Sequence, residues 1–401
     1  MARPWALAFL ACSQNPHRFT EDASWRYRAD NLARALAERG HALHLGHHRA
    51  GTPWRPDLVL LHRPMDGWRL RRQLRAWRAA GVPVIADFDD LVFEPALAAD
   101  SPGVLNRRLP LDEVQRRFTA HRRLLGALDG FTVSTEPLRE ELQAVLAHEG
   151  LARPVLCLPN AVDLRWRGLP ATPWPAPPAV GYFSGTHSHD LDFAEAAPGL
   201  AEVLRARPGW ALHLVGRGHF EPGLPADQLR RLPRLPFDNG YTDALRQVRV
   251  ALLPLQPSRF NRCKSALKLI EAGWWNTPVL ASPPPDARRF AGPGLGEVDR
   301  PAAEQGARRK IAARRRIVDH QPPDAPCPEQ HRQQARPGGQ VDIRDIAPAR
   351  RRNQSFERRE NVRYVVADVP VHRQHRRAQN AKLRFPSPVT AKGRRKGRSG
   401  H

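Results

Sequence analysis

Short apolar runs alternate with longer amphipathic stretches through roughly the first 300 residues, and the two kinds of segment carry different periods. Residues 6–12, 58–61, 82–87, 131–134 and 155–158 are rich in Ala, Val, Leu, Ile and Phe, the pattern of strands buried on both faces. Residues 41–45 predict a weaker strand. Between these runs, residues 25–38, 68–80, 111–128 and 137–148 repeat apolar positions at helical spacing, with Gly40 and Gly81 placed to stop two of the helices in a left-handed cap. Strand alternating with helix is the order of a parallel sheet covered by helices.

Residues 170–178, Pro-Ala-Thr-Pro-Trp-Pro-Ala-Pro-Pro, interrupt that order with a stiff, extended linker. The alternation then restarts. Strands are predicted over 179–184, 211–215, 250–253 and 278–282, and helices over 192–206, 243–247 and 264–273. The segment 80–86 and the segment 272–281 echo each other as helix, glycine stop and buried strand. Two doubly wound, Rossmann-like α/β lobes in tandem follow, residues 1–169 and 179–296, facing a cleft. From residue 297 to 401 the periodicity vanishes and Arg, Gln and Pro dominate, the composition of a disordered basic tail. The change is abrupt and falls mid-domain near residues 295–308, which favours a shifted reading frame over a genuine tail.

Charge alters this picture in one place. The formal net charge is +24, but residues 1–300 hold 39 basic against 31 acidic residues, whereas 301–401 hold 25 against 9. The basic excess that would suggest nucleic acid is mostly a property of the tail, so no specific nucleic acid is expected as a partner. The four cysteines make no Cys-x-x-Cys pair, so neither a disulfide framework nor a zinc site is expected, and a reducing cytoplasm fits. The apolar start at 5–12 fits a first strand better than a signal-peptide core, because helical periodicity follows it. No run reaches the roughly 18 apolar residues of a membrane span.

Lysine is scarce: the first 300 residues contain 37 arginines and two lysines, Lys264 and Lys268. Such a bias is that of a GC-rich genome, and a surviving lysine marks a place for a compact point charge. Both lie in Phe260-Asn-Arg-Cys-Lys264-Ser265-Ala-Leu-Lys268-Leu-Ile-Glu271-Ala-Gly273. On a helix at about 100° per residue, positions 264, 268 and 271 fall within roughly 60° of one another. Two ammonium groups near a helix start suit phosphates, and a glutamate two turns on can accept from ribose hydroxyls. Phosphates plus ribose describe a nucleoside diphosphate. The plainer reading is a surface helix with an ordinary Lys-to-Glu pair.

This segment, together with Val180-Gly-Tyr-Phe-Ser-Gly185-Thr-His187-Ser-His189-Asp190-Leu-Asp192-Phe193, resembles the GT-B glycosyltransferases grouped as family 4 (glycosyltransferase group 1). Ser24-Trp-Arg26-Tyr-Arg28, Asp87-Phe-Asp89-Asp90, Val133-Ser-Thr135 and Leu158-Pro-Asn160-Ala-Val-Asp163 resemble that family's N-lobe landmarks in the same order. The resemblance spans about residues 5–295. It implies a retaining, metal-independent hexosyltransferase-like enzyme, without cofactor, that holds a nucleotide sugar as co-substrate mostly on the C-lobe. Glu271 matches the second glutamate of the family's paired-glutamate motif, which contacts the donor ribose. The first would fall at Cys263 and is absent, as is the basic pair of the first C-lobe loop, where His187, His189 and Asp190 stand instead.

The remaining candidates are weaker. Gly181 and Gly185 flank a strand where backbone can approach phosphate, or merely turn. His187 and His189 are candidates for phosphate or sugar, and Arg217 in Gly216-Arg217-Gly218 for phosphate. Asp87, Asp89 and Asp90 end an N-lobe strand, where α/β enzymes place ligand groups. A structural or acceptor-side role fits them better than a metal held by an Asp-x-Asp pair. His62 and Arg63 end the preceding strand on the same side. The arginine-rich helix 68–77, like Arg116, Arg117, Arg122 and Arg123, is an ordinary solvated face or a docking face for an anionic membrane.

The expected activity is transfer of a sugar from a nucleotide diphosphate sugar to a glycan or lipid-linked acceptor, as in bacterial polysaccharide biosynthesis. The expected place is the cytoplasm or the inner membrane face. Two other readings stand beside it: a catalytically dead product lacking the family's closing C-terminal helix, and nucleic-acid binding through the tail.

Overall fold

The computed structural model describes residues 3–169, 178–185, 189–218, 223–282, 285–290, 296–299 and 363–367. Strands β1 (Ala6–Ala11), β2 (Ala42–His47), β3 (Leu58–His62), β4 (Val84–Phe88), β5 (Gly130–Val133) and β6 (Val155–Cys157) form a parallel sheet in the order β2-β1-β3-β4-β5-β6. The apolar runs make these strands because both faces are covered: Leu10, Leu61, Phe88 and Val133 are fully buried with helix residues Leu70, Leu74, Leu138 and Leu142. The covering helices include α1 (23–37), α2 (Trp68–Ala79), α3 (Leu111–Arg122) and α4 (Glu136–His148). Helix α1 is interrupted by a π turn over Arg26–Asp30. The stretch expected as one helix over 111–128 ends at Arg122 and continues as a separate 3₁₀ turn at Leu125–Ala127.

The second sheet runs β12-β13-β11-β10-β7-β8-β9. Its parallel part comprises β7 (Ala179–Ser184), β8 (Ala211–Gly216), β9 (Leu229–Leu232), β10 (Val250–Leu253) and β11 (Val279–Ala281). Strand β9, Leu-Arg-Arg-Leu, was not legible because it is short, polar and at the sheet edge. Helix α5 (Asp190–Arg205) covers one face, burying Phe193 and Leu204. The expected class, two doubly wound α/β lobes, is the one observed. In each sheet the strand order reverses beside the first strand, between β1 and β3 and between β7 and β10, and the crevices that hold ligands in such sheets open at those C-terminal ends.

Two expectations are corrected. The helix expected over 264–273 begins only at Leu267, as α7 (Leu267–Trp274), and residues 263–266 separate it from a short preceding helix, α6 (Arg259–Arg262). The reason is the other lobe. Phe260 and Cys263 are buried in the N-lobe core, Thr135 Oγ1 donates to the Cys263 carbonyl at 2.9 Å, and Arg259 pairs with Glu141. The chain is thus drawn across the cleft before the second helix begins. Within the tail, residues 363–367 form β13, which pairs antiparallel with β11 and with β12 (Gly296–Asp299), so the sheet crosses the boundary expected at 296/297. The linker 170–177 and the rest of the tail lie outside the described residues.

Candidate functional site

The N-lobe half of the cleft is built where β1, β3 and β4 end. Asp87 is fully buried and accepts two hydrogen bonds from Arg28 Nε and one from its Nη2, the last at 2.6 Å, and one from Thr132 Oγ1 at 2.6 Å. Arg28 also donates to the Leu158 carbonyl and to Asn160. Burial opposes its charge, but Asp87 outweighs burial and holds the guanidinium more firmly protonated than usual. Asp87 is therefore an internal brace for Arg28.

Asp89 and Asp90 point the other way, into the cleft. Arg63 donates to Asp89 at 2.5 Å and to Asp90 at 2.8 Å. Its own backbone sits at φ 48, in the left-handed region that side chains rarely adopt, which brings the guanidinium over both carboxylates. Burial works against Asp89 ionisation, yet the Arg63 charge and the hydrogen bonds from Arg63 and Ser24 more than offset it, so this carboxyl lies well below its usual range. Asp87 and Asp89 therefore do not converge on a common point, which argues against a metal held by the pair.

His62 belongs to the same cluster. Ser24 Oγ lies 2.7 Å from His62 Nε2 and 2.5 Å from Asp89 Oδ2. A serine hydroxyl has one proton; donated to the carboxylate, it leaves the oxygen accepting from Nε2–H, with Nδ1 as the ring's lone-pair nitrogen. Burial lowers the His62 pKa and keeps the ring neutral. Serine, neutral imidazole and carboxylate form a connected polar chain open to the cleft.

The C-lobe half is sparser. Lys264, in the segment before α7, reaches across to Asp90 at 2.5 Å. Lys268, in the first turn of α7, donates to the Phe183 carbonyl at the end of β7 at 2.7 Å, and among the described residues no carboxylate pairs with it. Burial lowers its pKa, partly countered by Glu271 and Asp192. The two lysines line one cavity of about 290 Å³ with Ser265, His189, Ser24, Asp89, Asp90 and Asn160. A second cavity, of about 380 Å³, lies in the N-lobe between His62, Arg63, Met65, Phe118 and Phe260, and it shares Asp90 and Lys264 with the first.

Glu271 is not on the face expected for it. It is 3% exposed and lines neither cavity. Its carboxylate accepts from Tyr27 Oη of the N-lobe and from Tyr241 Oη at 2.6 Å, within an aromatic cluster of Phe237, Trp166 and Trp275. Burial raises its pKa, and the tyrosines counter part of that rise. The expected Lys264–Lys268–Glu271 face is thus divided into three separate contacts.

Ser265 Oγ accepts from Asn160 at 2.9 Å, another link between lobes. His189 binds Asp192 through Nδ1 at 2.8 Å, and burial lowers its pKa. A Cβ on Gly185 would meet nothing, so crowding does not require glycine there. Gly216 is the demanding position: at φ +107, a Cβ would stand 1.6 Å from the Ser184 carbonyl oxygen. Arg217 is exposed, lines neither cavity and holds Ser184 through its carbonyl. His187 lies outside the described residues.

Sequence reasoning singled out the stretches that hold Ser24, Tyr27, Arg28 and Asn160 only as family landmarks, without a site role, and passed over Tyr241. A signal existed for Arg28, which falls three residues after Trp25 and four before Leu32, on the apolar side of its helix.

No family model matches the chain, and neither does any curated protein. Among solved structures it is similar to the glycotransferase of kitacinnamycin, at 16% identity over 71% of this chain and 81% of that one, with a TM-score of 0.37. It is similar to the pneumococcal O-GlcNAc transferase GtfA in complex with UDP and GlcNAc, at 15% identity over 65% of this chain, with a TM-score of 0.42; the chain spans about half of that protein, 49%. It is also similar to LpCGTa in complex with UDP, at 13% identity over 69% of this chain and 79% of that one, with a TM-score of 0.36.

Proposed function

We propose that the chain transfers a sugar from a nucleotide diphosphate sugar to a glycan or lipid-linked acceptor, with retention and without a metal. One observation carries the reading: Lys264 and Lys268 line a cavity opposite Ser24, Asp89 and Asp90, at the ends of two doubly wound sheets. In this reading the diphosphate lies against the lysines. When the bond between the anomeric carbon and the diphosphate oxygen breaks, charge develops on that oxygen, and fixed cations in a water-poor cleft stabilise it most there. Lys268 is the better placed, because it has a carbonyl rather than a carboxylate as its partner. Lys264 would exchange Asp90 for phosphate. Glu271 would take the ribose only after Tyr27 leaves its carboxylate. The N-lobe cavity, lined by His62 and Asp90, would take the acceptor.

The test is a thermal-shift panel of GDP, UDP, ADP, CDP and dTDP on the full chain and on Lys268→Ala. A ligand that binds only the native state raises its melting temperature. Stabilisation by one base, lost in the variant, supports the donor site and identifies the nucleotide. A cooperative melt unmoved by every nucleotide overturns the reading in favour of a non-catalytic product.

A further inference from the structure

Helix α2 differs from the other long helices of its lobe in how its charges are balanced. In α3, Arg116 pairs with Asp112 and Arg117 with Glu113, each one turn back; in α4, Arg139 pairs with Glu136. Over Trp68–Ala79 there are five arginines and no acid. Leu70, Leu74 and Trp77 are buried against the sheet, which fixes the opposite face outward. Of the arginines, Arg71 pairs with Asp66, which precedes the helix, and Arg78 donates to the Ala127 carbonyl. Arg72 and Arg75 have no acidic partner among the described residues, and Arg69 lies 5.2 Å from the Trp68 ring.

Trp68 itself is 68% exposed, more than any other large apolar residue described. At about 100° per residue, positions 68, 72 and 75 lie within roughly 60° of one another, so the indole and two unpaired guanidinium groups share one stripe. The helix begins three residues after Met65, which lines the N-lobe cavity. At that cavity, Leu109 is a lining residue flanked in sequence by Leu105 and Leu111, each 40% exposed.

We propose that this face docks the N-lobe on a bilayer carrying anionic phospholipids. Arg69, Arg72 and Arg75 lie against lipid phosphates, and Trp68 sits at the level of the headgroups. Charge alone would suit any polyanion. The exposed indole decides for a bilayer, because a tryptophan beside cations matches an interface that is apolar on one side and anionic on the other. The inference does not depend on the transferase reading, although the cavity beside the face would open toward a lipid-borne acceptor.

The test is co-sedimentation of the full chain with vesicles of phosphatidylcholine containing about 30 mol% phosphatidylserine at about 0.1 M salt, conditions where surface charge is only partly screened. Arg69→Glu, Arg72→Glu and Arg75→Glu combined are expected to lower the vesicle partition coefficient at least tenfold with an unchanged melt. Trp68→Ala, which alters no charge, is expected to lower it several-fold and to leave binding of a DNA duplex unchanged. Full vesicle binding by the triple variant would assign binding to the basic tail and overturn the proposal. Equal losses on vesicles and DNA in the triple variant, with no effect of Trp68→Ala, would overturn it in favour of a nucleic-acid surface. Activity plays no part in these readouts, so a chain that docks but transfers nothing would separate this inference from the proposed function.

Discussion

The two halves of the cleft are made by the same kind of sheet, yet they are finished differently. On the N-lobe side each buried charge has an opposite partner within the lobe: Arg28 with Asp87, Arg63 with Asp89 and Asp90. On the C-lobe side Lys268 has a carbonyl, and Glu271 has two tyrosines. Burying a charge without an opposite charge is unfavourable, and both pKa values move toward the neutral form accordingly. The N-lobe half is a finished structure. In the C-lobe half the charges of Lys268 and Glu271 are held by neutral partners.

The largest test of that contrast is to break the finished half. Arg28 and Asp87 are 2% and 0% exposed, and removing one partner leaves the other charge buried alone. Arg28→Ala is expected to lose about 3–5 kcal/mol in urea unfolding. A loss below about 1 kcal/mol would mean that the brace does not matter to stability and that the comparison fails.

Acid should act on the N-lobe next. His121 is buried, with Nδ1–H donating to the Pro64 carbonyl at 2.7 Å, and burial pushes its pKa down to about 4 from the usual 6.5. It is neutral in the fold, whereas the unfolded chain takes up a proton at its ordinary pKa. Stability is therefore fully present above about pH 6.5 and falls as pH drops toward 4, by about 3 kcal/mol from this group alone. His62, with a lowered pKa, adds in the same direction. Denaturant unfolding across that window checks it, and His121→Gln should flatten the slope; a curve flat down to pH 4 would contradict the geometry.

What the sequence disclosed follows the same division. Strands such as 58–61 and 131–134 were legible because a strand buried on both faces needs only its own residues to show it. The break at 263–266 was not, because it is caused by Thr135 and by the N-lobe core around Phe260 and Cys263, more than a hundred positions away in the chain. Local periodicity starts the helix at Lys264, three residues too early. Asp89, Asp90, His62 and Arg63 were found because strand ends in such sheets hold ligand groups, whereas Tyr27 and Tyr241 carry no such positional mark. Glu271 was placed by helical spacing on a face with the two lysines, and its tyrosine partners have closed that position.

A smaller effect is expected from Lys268→Met. Among the described residues the ammonium has no carboxylate partner, so exchanging it for an apolar side chain of similar length should change stability by no more than about 1 kcal/mol. Any nucleotide-induced thermal shift should disappear. A large loss of stability with the shift retained would show that Lys268 belongs to the finished kind of structure after all.

The smallest effect, and the one that separates the lobes, comes from the two tyrosines on Glu271. Tyr27→Phe and Tyr241→Phe each delete one hydrogen bond to the same carboxylate, so each should cost about 1 kcal/mol in unfolding. Both bonds hold the Glu271 pKa down against burial, so either deletion raises it further. Because the folded pKa already lies above the usual value, ionising Glu271 opposes folding, and stability falls as pH rises through that pKa. The cost of each variant should therefore be larger at neutral pH than in acid, where the carboxyl is protonated in both proteins. Only Tyr27 comes from the N-lobe. Its loss should also loosen the lobes and let a ligand compete for the carboxylate, which would appear as a larger nucleotide-induced thermal shift in Tyr27→Phe than in Tyr241→Phe. Equal shifts in the two variants would mean that the Tyr27 contact is packing within a fixed interface and does not hold the cleft closed.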